Sequence, residues 1–221
     1  MKPLSERIAL KNAAYLFDMD GVLVDNCRYH VLAWLELSKK YGGRLTAEQV
    51  VAWMGAPGRD YVARMFDTPP DAARVEALIV EKEALYRELF RPALAPRDGL
   101  IAFLAKMRSA GIASAIATGG SLDNVDFVLD GLGIRRYFRG VVDASKYVRG
   151  KPAPDCYLRA AELVGADPSD AVVFEDAVNG IEAAHAAGMR VVAITGTNSR
   201  ETLTEAGADL VIDTFAGLEL V

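Results

Sequence analysis

The sequence predicts an α/β fold: a parallel sheet with helices on both faces, interrupted after its first strand by an inserted helical segment. Three observations predict it. Six apolar runs, at 13–17, 112–117, 141–143, 171–174, 190–194 and 210–212, have the length and composition of buried strands. Helical stretches at about 99–109, 121–131, 154–164 and 180–187 fall between several of them, and such alternation means a parallel sheet covered on both faces. Between residues 24 and 97 the alternation stops and only helical patterns are found.

The first strand runs directly into Asp18-Met19-Asp20-Gly21-Val22. If the strand continues through the acids, both carboxylates point to the same side. Gly21 tolerates backbone conformations closed to other residues. Two carboxylates at a strand end can bind a divalent cation through oxygen. They can also divide labour, one as nucleophile and the other as proton donor and acceptor. An Asp-x-Asp-Gly of this kind is also a plain turn sequence, so the remaining segments decide its meaning.

The inserted segment reads as four helices, at 29–41, 47–53, 60–66 and 71–90, broken by Gly55-Ala56-Pro57-Gly58 and by Pro69-Pro70. Pro92 and Pro96, with Arg97-Asp98-Gly99, mark the return to the sheet. The expected division is therefore a core of 1–24 and 97–221 and a helical cap of 25–96, hinged near Asp25-Asn26 and near 92–96. Trp34 and Trp53 read as cap core.

The second strand leads into Thr118-Gly119-Gly120-Ser121. A hydroxyl with freed backbone N–H groups at a helix N-terminus makes an anion site, and the same residues also suit a simple turn with Ser121 as N-cap. In Gly150-Lys151-Pro152-Ala153-Pro154-Asp155 the prolines stiffen the loop and favour a helix start just after them. Lys151 can there meet a phosphoryl group as a point charge, or it is a solvated lysine. After the strand at 171–174 come Glu175-Asp176 and then a helical pattern through Gly180-Ile181. Ligands of open α/β sheets bind at the carboxyl ends of the strands. That rule gathers Asp18, Asp20, Glu175 and Asp176, and four carboxylates so close imply a cation among them.

Composition narrows the partners. The chain has 221 residues, 52% of them apolar, enough for a substantial core. A net charge of −5 and a pI near 5.2 argue against nucleic acid and against an anionic membrane surface. Cys27 and Cys156 have no metal-like or redox spacing, and no apolar stretch reaches membrane-spanning length. Lys2, Glu6, Arg7 and Lys11 near the N-terminus lack an apolar signal core, so a cytoplasmic protein is expected, monomeric or weakly self-associating.

Taken in order, Asp18-Met-Asp20-Gly21-Val-Leu-Val-Asp25, Thr118-Gly119, Gly150 to Asp155 and Phe174-Glu175-Asp176-(x)3-Gly180-Ile181 resemble the haloacid dehalogenase superfamily. More narrowly they are similar to the branch holding beta-phosphoglucomutase and many small phosphatases. The resemblance covers essentially the whole chain and implies a Rossmann-like core with an inserted helical cap that closes over the catalytic loop. It implies that Asp18 is the nucleophile and Asp20 the general acid and base. It makes Thr118, with backbone groups of Gly119, the phosphate holder, and Lys151 the cation that steadies nucleophile and transferring group. Magnesium would be held by Asp18, by the backbone carbonyl of Asp20 and by Asp176, with Glu175 as ligand or supporting group.

The acid at position 20 separates phosphatases and mutases from dehalogenases and phosphate-transferring ATPases, because an alkoxide needs a proton to leave and a halide does not. Ala177 stands where this branch often has Ser, and Gly119 and Gly120 where many relatives carry Asn or Ala. In the cap, His30, Arg59 and Lys82 are candidate substrate contacts, and Lys82 matches a lysine of the beta-phosphoglucomutase pattern. Each also has a plain alternative: a core or exposed histidine, a helix-start charge and a solvated ion pair. His185 reads as structural. The resemblance thus implies a magnesium-dependent phosphatase of a small phosphorylated metabolite, with a phosphomutase or an inorganic pyrophosphatase as alternatives.

Overall fold

A computed structural model describes residues 7–8, 14–53 and 57–220. Ala13, the N-terminal charges Lys2, Glu6 and Lys11, and Gly55 and Ala56 of the expected loop lie outside the described residues. The chain divides into two compact units, Met1–Asp25 with Ala95–Val221, and Asn26–Leu94.

In the first unit the strands are β1 (Arg7–Ile8), β2 (Ala14–Phe17), β3 (Ser114–Ala117), β4 (Val141–Val142), β5 (Ala171–Glu175), β6 (Arg190–Ile194), β7 (Leu210–Ile212) and β8 (Glu219–Leu220). Six of them form one parallel sheet in the order β4-β3-β2-β5-β6-β7, while β1 and β8 pair in a separate two-stranded ribbon. Every residue of β2, β3 and β5 is buried, as parallel strands covered on both sides must be.

Period-two alternation sends these residues to two different layers. Ala14, Leu16, Ala115, Ala117, Val173 and Val191 pack against Tyr157 and Ala160 of α7 (Asp155–Val164) and Ile181 and Ala184 of α8 (Val178–Ala186). Tyr15, Phe17 and Phe174 point the other way and meet Phe103 of α5 (Leu100–Ser109) and Phe215. The rings of Phe17 and Phe174, on neighbouring strands, stack at 4.6 Å. Helices α6 (Leu122–Gly131) and α9 (Arg200–Glu205) complete this unit.

The second unit is helical: α1 (Cys27–Lys40), α2 (Ala47–Ala52), α3 (Gly58–Met65) and α4 (Ala72–Phe90). Its core joins Trp34, Leu37, Val50, Tyr61, Val62, Met65 and Leu78. Trp34 stacks on Tyr61 at 4.6 Å, and Trp53 meets the same ring edge-on. Helix α2 opens with a reciprocal cap between Thr46 and Gln49. Among the described residues, no helix is long and apolar enough to cross a membrane.

Candidate active site

The order of the sheet reverses around β2: the chain proceeds to β3 and β4 on one side, then crosses to β5, β6 and β7 on the other. Such a reversal leaves a crevice at the carboxyl ends of the central strands. Asp18 follows β2, Thr118 follows β3, and Glu175 and Asp176 close β5. The Asp18 N–H donates to the Phe174 carbonyl at 2.9 Å, the last bond before the chain turns away. It turns at once, because Leu23 N–H bonds the Met19 carbonyl at 2.9 Å and Gly21 adopts φ +76°.

That turn corrects one expectation. Strand geometry does not carry through Asp20, so three carboxylates gather, not four. Oxygens of Asp18, Glu175 and Asp176, all buried, lie within 4.8 Å of one another. The Asp20 carboxylate instead borders the space over Gly120: a methyl carbon there would stand 3.6 Å from its Oδ2 and 3.3 Å from the Thr118 hydroxyl oxygen.

Lys151 binds the cluster together. Its ammonium donates to Asp18 Oδ1 at 2.9 Å and to Glu175 Oε1 at 2.5 Å. Only about a tenth of the Lys151 side chain is exposed (11%), so the reading of a solvated lysine is excluded. Glu175 is held on all sides. Its Oε1 also accepts from the Tyr157 hydroxyl at 2.7 Å, and its Oε2 from the N–H groups of Asp176 and Ala177 at 2.8 and 3.0 Å. Burial pushes the Glu175 carboxyl up, but Lys151 and these hydrogen bonds outweigh it and hold the group below its usual value. Burial, against the pull of Lys151, pushes Asp18 up to about 7, helped by Glu175 and Asp20. Burial and the charges of Glu175 and Asp18 raise Asp176 well above the carboxylate range. Burial lowers the Lys151 ammonium, yet Asp18 and Glu175 together keep it well above its ordinary value.

Two glycines make room for the cluster. A methyl carbon on Gly21 would fall 1.8 Å from Asp176 Oδ2, and one on Gly180 would fall 1.7 Å from Glu175 Oε1. Thr118 is buried, with its N–H on the Val142 carbonyl at 2.9 Å and its hydroxyl oxygen accepting from Gly120 N–H at 3.0 Å. Ser121 caps α6 by accepting from Asn124 N–H, so the cap is present alongside the threonine loop.

A scan of family models matches residues 13–188 to the haloacid dehalogenase-like hydrolases. The chain belongs to this family. It is 33% identical over 180 residues to the fructose-1-phosphate phosphatase YqaB of Escherichia coli, covering 81% of this chain and 95% of that protein. It is 31% identical to a beta-phosphoglucomutase of Mycobacterium bovis, covering 94% and 92%. A haloacid dehalogenase hydrolase structure from Entamoeba histolytica superposes with a TM-score of 0.86 at 27% identity, covering 94% and 95%. The chain is accordingly an enzyme of the phosphoryl-transferring hydrolase class, and its six-stranded parallel core is the Rossmann-like fold of haloacid dehalogenase hydrolases.

The donor set of this haloacid dehalogenase-like site fits magnesium. Three buried carboxylates within 4.8 Å supply hard oxygen ligands, and the Lys151 ammonium offsets only part of their charge. A bound divalent ion would favour the charged forms of Asp18 and Asp176 against the burial that raises both. Three residues that sequence reasoning passed over support the site. Thr197 hydrogen-bonds the Asp176 side chain, Asn198 donates to the Asp176 carbonyl at 2.8 Å, and the Tyr147 hydroxyl donates to the Thr118 carbonyl at 3.1 Å. The position of Thr197 and Asn198 just beyond β6 was the available signal, since that is another strand's carboxyl end.

The cap candidates separate within the helical unit. Lys82 is buried and donates to His30 Nδ1 at 2.8 Å and to Glu83 at 2.9 Å, with Trp34 and Tyr86 rings near its ammonium. The solvated alternative for Lys82 is thereby overturned: α1 and α4 pack side by side and enclose it. Since an ammonium only donates, His30 Nδ1 is the acceptor. The His30 ring stacks on Tyr86 at 3.8 Å, and the Tyr86 hydroxyl accepts from Asn26 at 2.6 Å. Arg59 is exposed in the first turn of α3, 3.9 Å from Asp60. In the first unit His185 is partly exposed, 3.7 Å from Asp209.

Proposed function

We propose that this chain is a magnesium-dependent phosphatase that hydrolyses a small phosphorylated metabolite, such as a sugar phosphate, through a phosphorylated Asp18. The observation that carries the reading is the buried Asp18–Lys151–Glu175 arrangement at the reversal point of the sheet, with Asp176 against it. The activities named for the E. coli and M. bovis relatives, both on phosphorylated sugars, support the substrate class.

Asp18 Oδ attacks phosphorus, and the bond from phosphorus to the substrate oxygen breaks. Lys151 keeps one carboxylate oxygen oriented through a charge-assisted hydrogen bond. Asp20, beside the Thr118 loop, gives its proton to the leaving oxygen. It then takes a proton from water, which attacks the acyl phosphate; inorganic phosphate departs and Asp18 is restored. Thr118 and the N–H of Gly119 hold the phosphoryl oxygens. Asp18, Asp176 and the carbonyl of Asp20, with Glu175 as ligand or support, would hold magnesium, which would supply positive charge to offset these acids toward an anionic substrate. His30 and Lys82 are proposed as substrate contacts of the helical unit, which is proposed as the cap. A cytoplasmic location is proposed. The chain is proposed to be monomeric or weakly self-associating there.

The test is a panel of sugar phosphates, other phosphomonoesters and pyrophosphate, assayed with magnesium for both inorganic phosphate and isomeric sugar phosphate. Phosphate release from a monoester is expected. Isomer formed without phosphate release would make the chain a mutase, the activity of its M. bovis relative. No reaction with any monoester would remove the proposal.

A further inference from the structure

Helix α7 starts just after the Lys151 loop, and Tyr157 in its first turn faces back onto the acid cluster. The residue is completely buried. Its hydroxyl donates to Glu175 Oε1 at 2.7 Å, while the Lys151 ammonium lies 4.8 Å from its ring centroid. One side chain thus touches both members of the Lys151–Glu175 pair by different means. The hydroxyl bonds the acid, and the electron-rich face meets the cation.

The consequence follows from how Lys151 is shared. It donates to Asp18 at 2.9 Å and to Glu175 at 2.5 Å, so it already sits closer to Glu175. An ammonium between two carboxylates is drawn toward the one carrying more uncompensated charge. The Tyr157 hydroxyl compensates charge on Oε1, the same oxygen that Lys151 meets. With water excluded, that compensation is strong. The ring adds attraction from a third side. Both contacts limit how far Glu175 can pull Lys151 away from Asp18.

We propose that Tyr157 is a positioning residue that keeps Lys151 shared between Asp18 and Glu175, so that the ammonium stays on the nucleophile. The proposal rests on the reading of Asp18 as nucleophile and Lys151 as its cation. Tyr157 touches neither substrate nor the reacting oxygen and acts only through this pair.

Tyr157→Phe removes the hydroxyl and keeps the ring; Tyr157→Leu removes both. Two readouts apply to each: steady-state hydrolysis of p-nitrophenyl phosphate with saturating magnesium, and a crystal structure with magnesium set beside the wild type. Tyr157→Phe is expected to lower kcat about tenfold, as small misplacements of reacting groups do. Its KM should stay within about twofold, because the interaction lost belongs to the transition state. In its crystal structure Lys151 Nζ should stand beyond hydrogen-bond reach of Asp18, more than about 3.5 Å. Tyr157→Leu should lose about a hundredfold in kcat.

A merely structural role would lower the melting temperature without changing kcat per folded molecule. If Tyr157→Phe keeps kcat within about twofold, or keeps the Lys151–Asp18 contact, the proposal is wrong. Should Tyr157→Leu fail to fold, the Phe variant decides alone. If the wild type hydrolyses nothing but Lys151 still moves in the variant, the reaction reading fails while the positioning role stands.

Discussion

Gly180→Ala separates local from tertiary reasoning. Gly180 sits in the first turn of α8. Helix propensity alone favours alanine there by up to about 1 kcal/mol. The site says the opposite. A methyl carbon at 180 would fall 1.7 Å from Oε1 and 2.5 Å from Oε2 of Glu175, so the carboxylate must move. That carboxylate accepts from Lys151, Tyr157 and two backbone N–H groups, all within 3.0 Å. Disrupting a buried, fully bonded ion pair on one side costs about 3–5 kcal/mol. Set against the propensity gain, the net loss is about 2–4 kcal/mol. At roughly 2–4 °C per kcal/mol for a chain of this size, the melting temperature should fall by about 5–15 °C. Turnover should fall with it, since Lys151 loses its second anchor. Thermal melts of metal-free protein and phosphate-release assays read both effects. Gly150→Ala, where the added carbon meets nothing within 4 Å, is the control and should melt like wild type. A Gly180→Ala variant as stable and as active as wild type would show that Glu175 is not held as described.

Three further outcomes follow from the site. Asp18→Asn should cut turnover at least a hundredfold, about 2.7 kcal/mol of barrier, while circular dichroism shows an intact fold; substantial residual turnover would remove Asp18 as nucleophile. Magnesium should raise the melting temperature more at pH 8 than at pH 6. The Asp18 carboxyl is raised to about 7 in the fold, so its contribution to metal-free stability is complete below its unfolded value near 4 and is lost as pH rises through 7. The ion must displace that proton and the one that the raised Asp176 carboxyl also holds, so its affinity should drop at least about tenfold per unit below pH 7; an equal rise at both values counts against these carboxylates as ligands. Asp20→Asn should slow the phosphorylation step more for an alkyl phosphate than for an aryl phosphate, because phenolate leaves without a proton. Equal losses in rapid-quench experiments would mean Asp20 is not the leaving-group acid.

The six sheet strands were legible because each is a short, largely apolar run, and the central strands β2, β3 and β5 are buried along their whole length, as covered parallel strands are. Their observed ends lie within a few residues of the expected ones, and the deviations are physical. Ile112 and Ala113 precede β3 without joining it, and α8 begins at Val178 because the Glu175 carboxylate collects the N–H groups just before it. The pairing of β1 with β8 was not legible. Two residues carry no periodicity, and the partners stand at opposite ends of the chain. Helix α9 was passed over because Leu203 is its one buried residue, although the Ser199 cap ahead of it is a readable start.

The site divides along the same line. Asp18, Thr118, Glu175 and Asp176 stood out as candidates because each lies at the end of a candidate strand, and Lys151 because prolines stiffen the loop that carries it. Their supports were passed over, since most of what recommends them is tertiary. Tyr157 reads in sequence as one more apolar position on a helix face, and only the fold brings its hydroxyl to Glu175. Thr197 and Asn198 read as a turn until β6 is placed beside β5, which sets them over Asp176. Asp20 shows the limit from the other direction. Its chemistry was legible, but its direction depended on where β2 stops, and the positive φ of Gly21 stops it early. That early turn leaves the Asp20 carboxylate bordering the same space as the Thr118 hydroxyl, outside the three-acid cluster yet near enough for its charge to raise Asp18. The proton exchange proposed for Asp20 suits that place better than one among metal ligands, where a cation would suppress the basicity of the carboxylate.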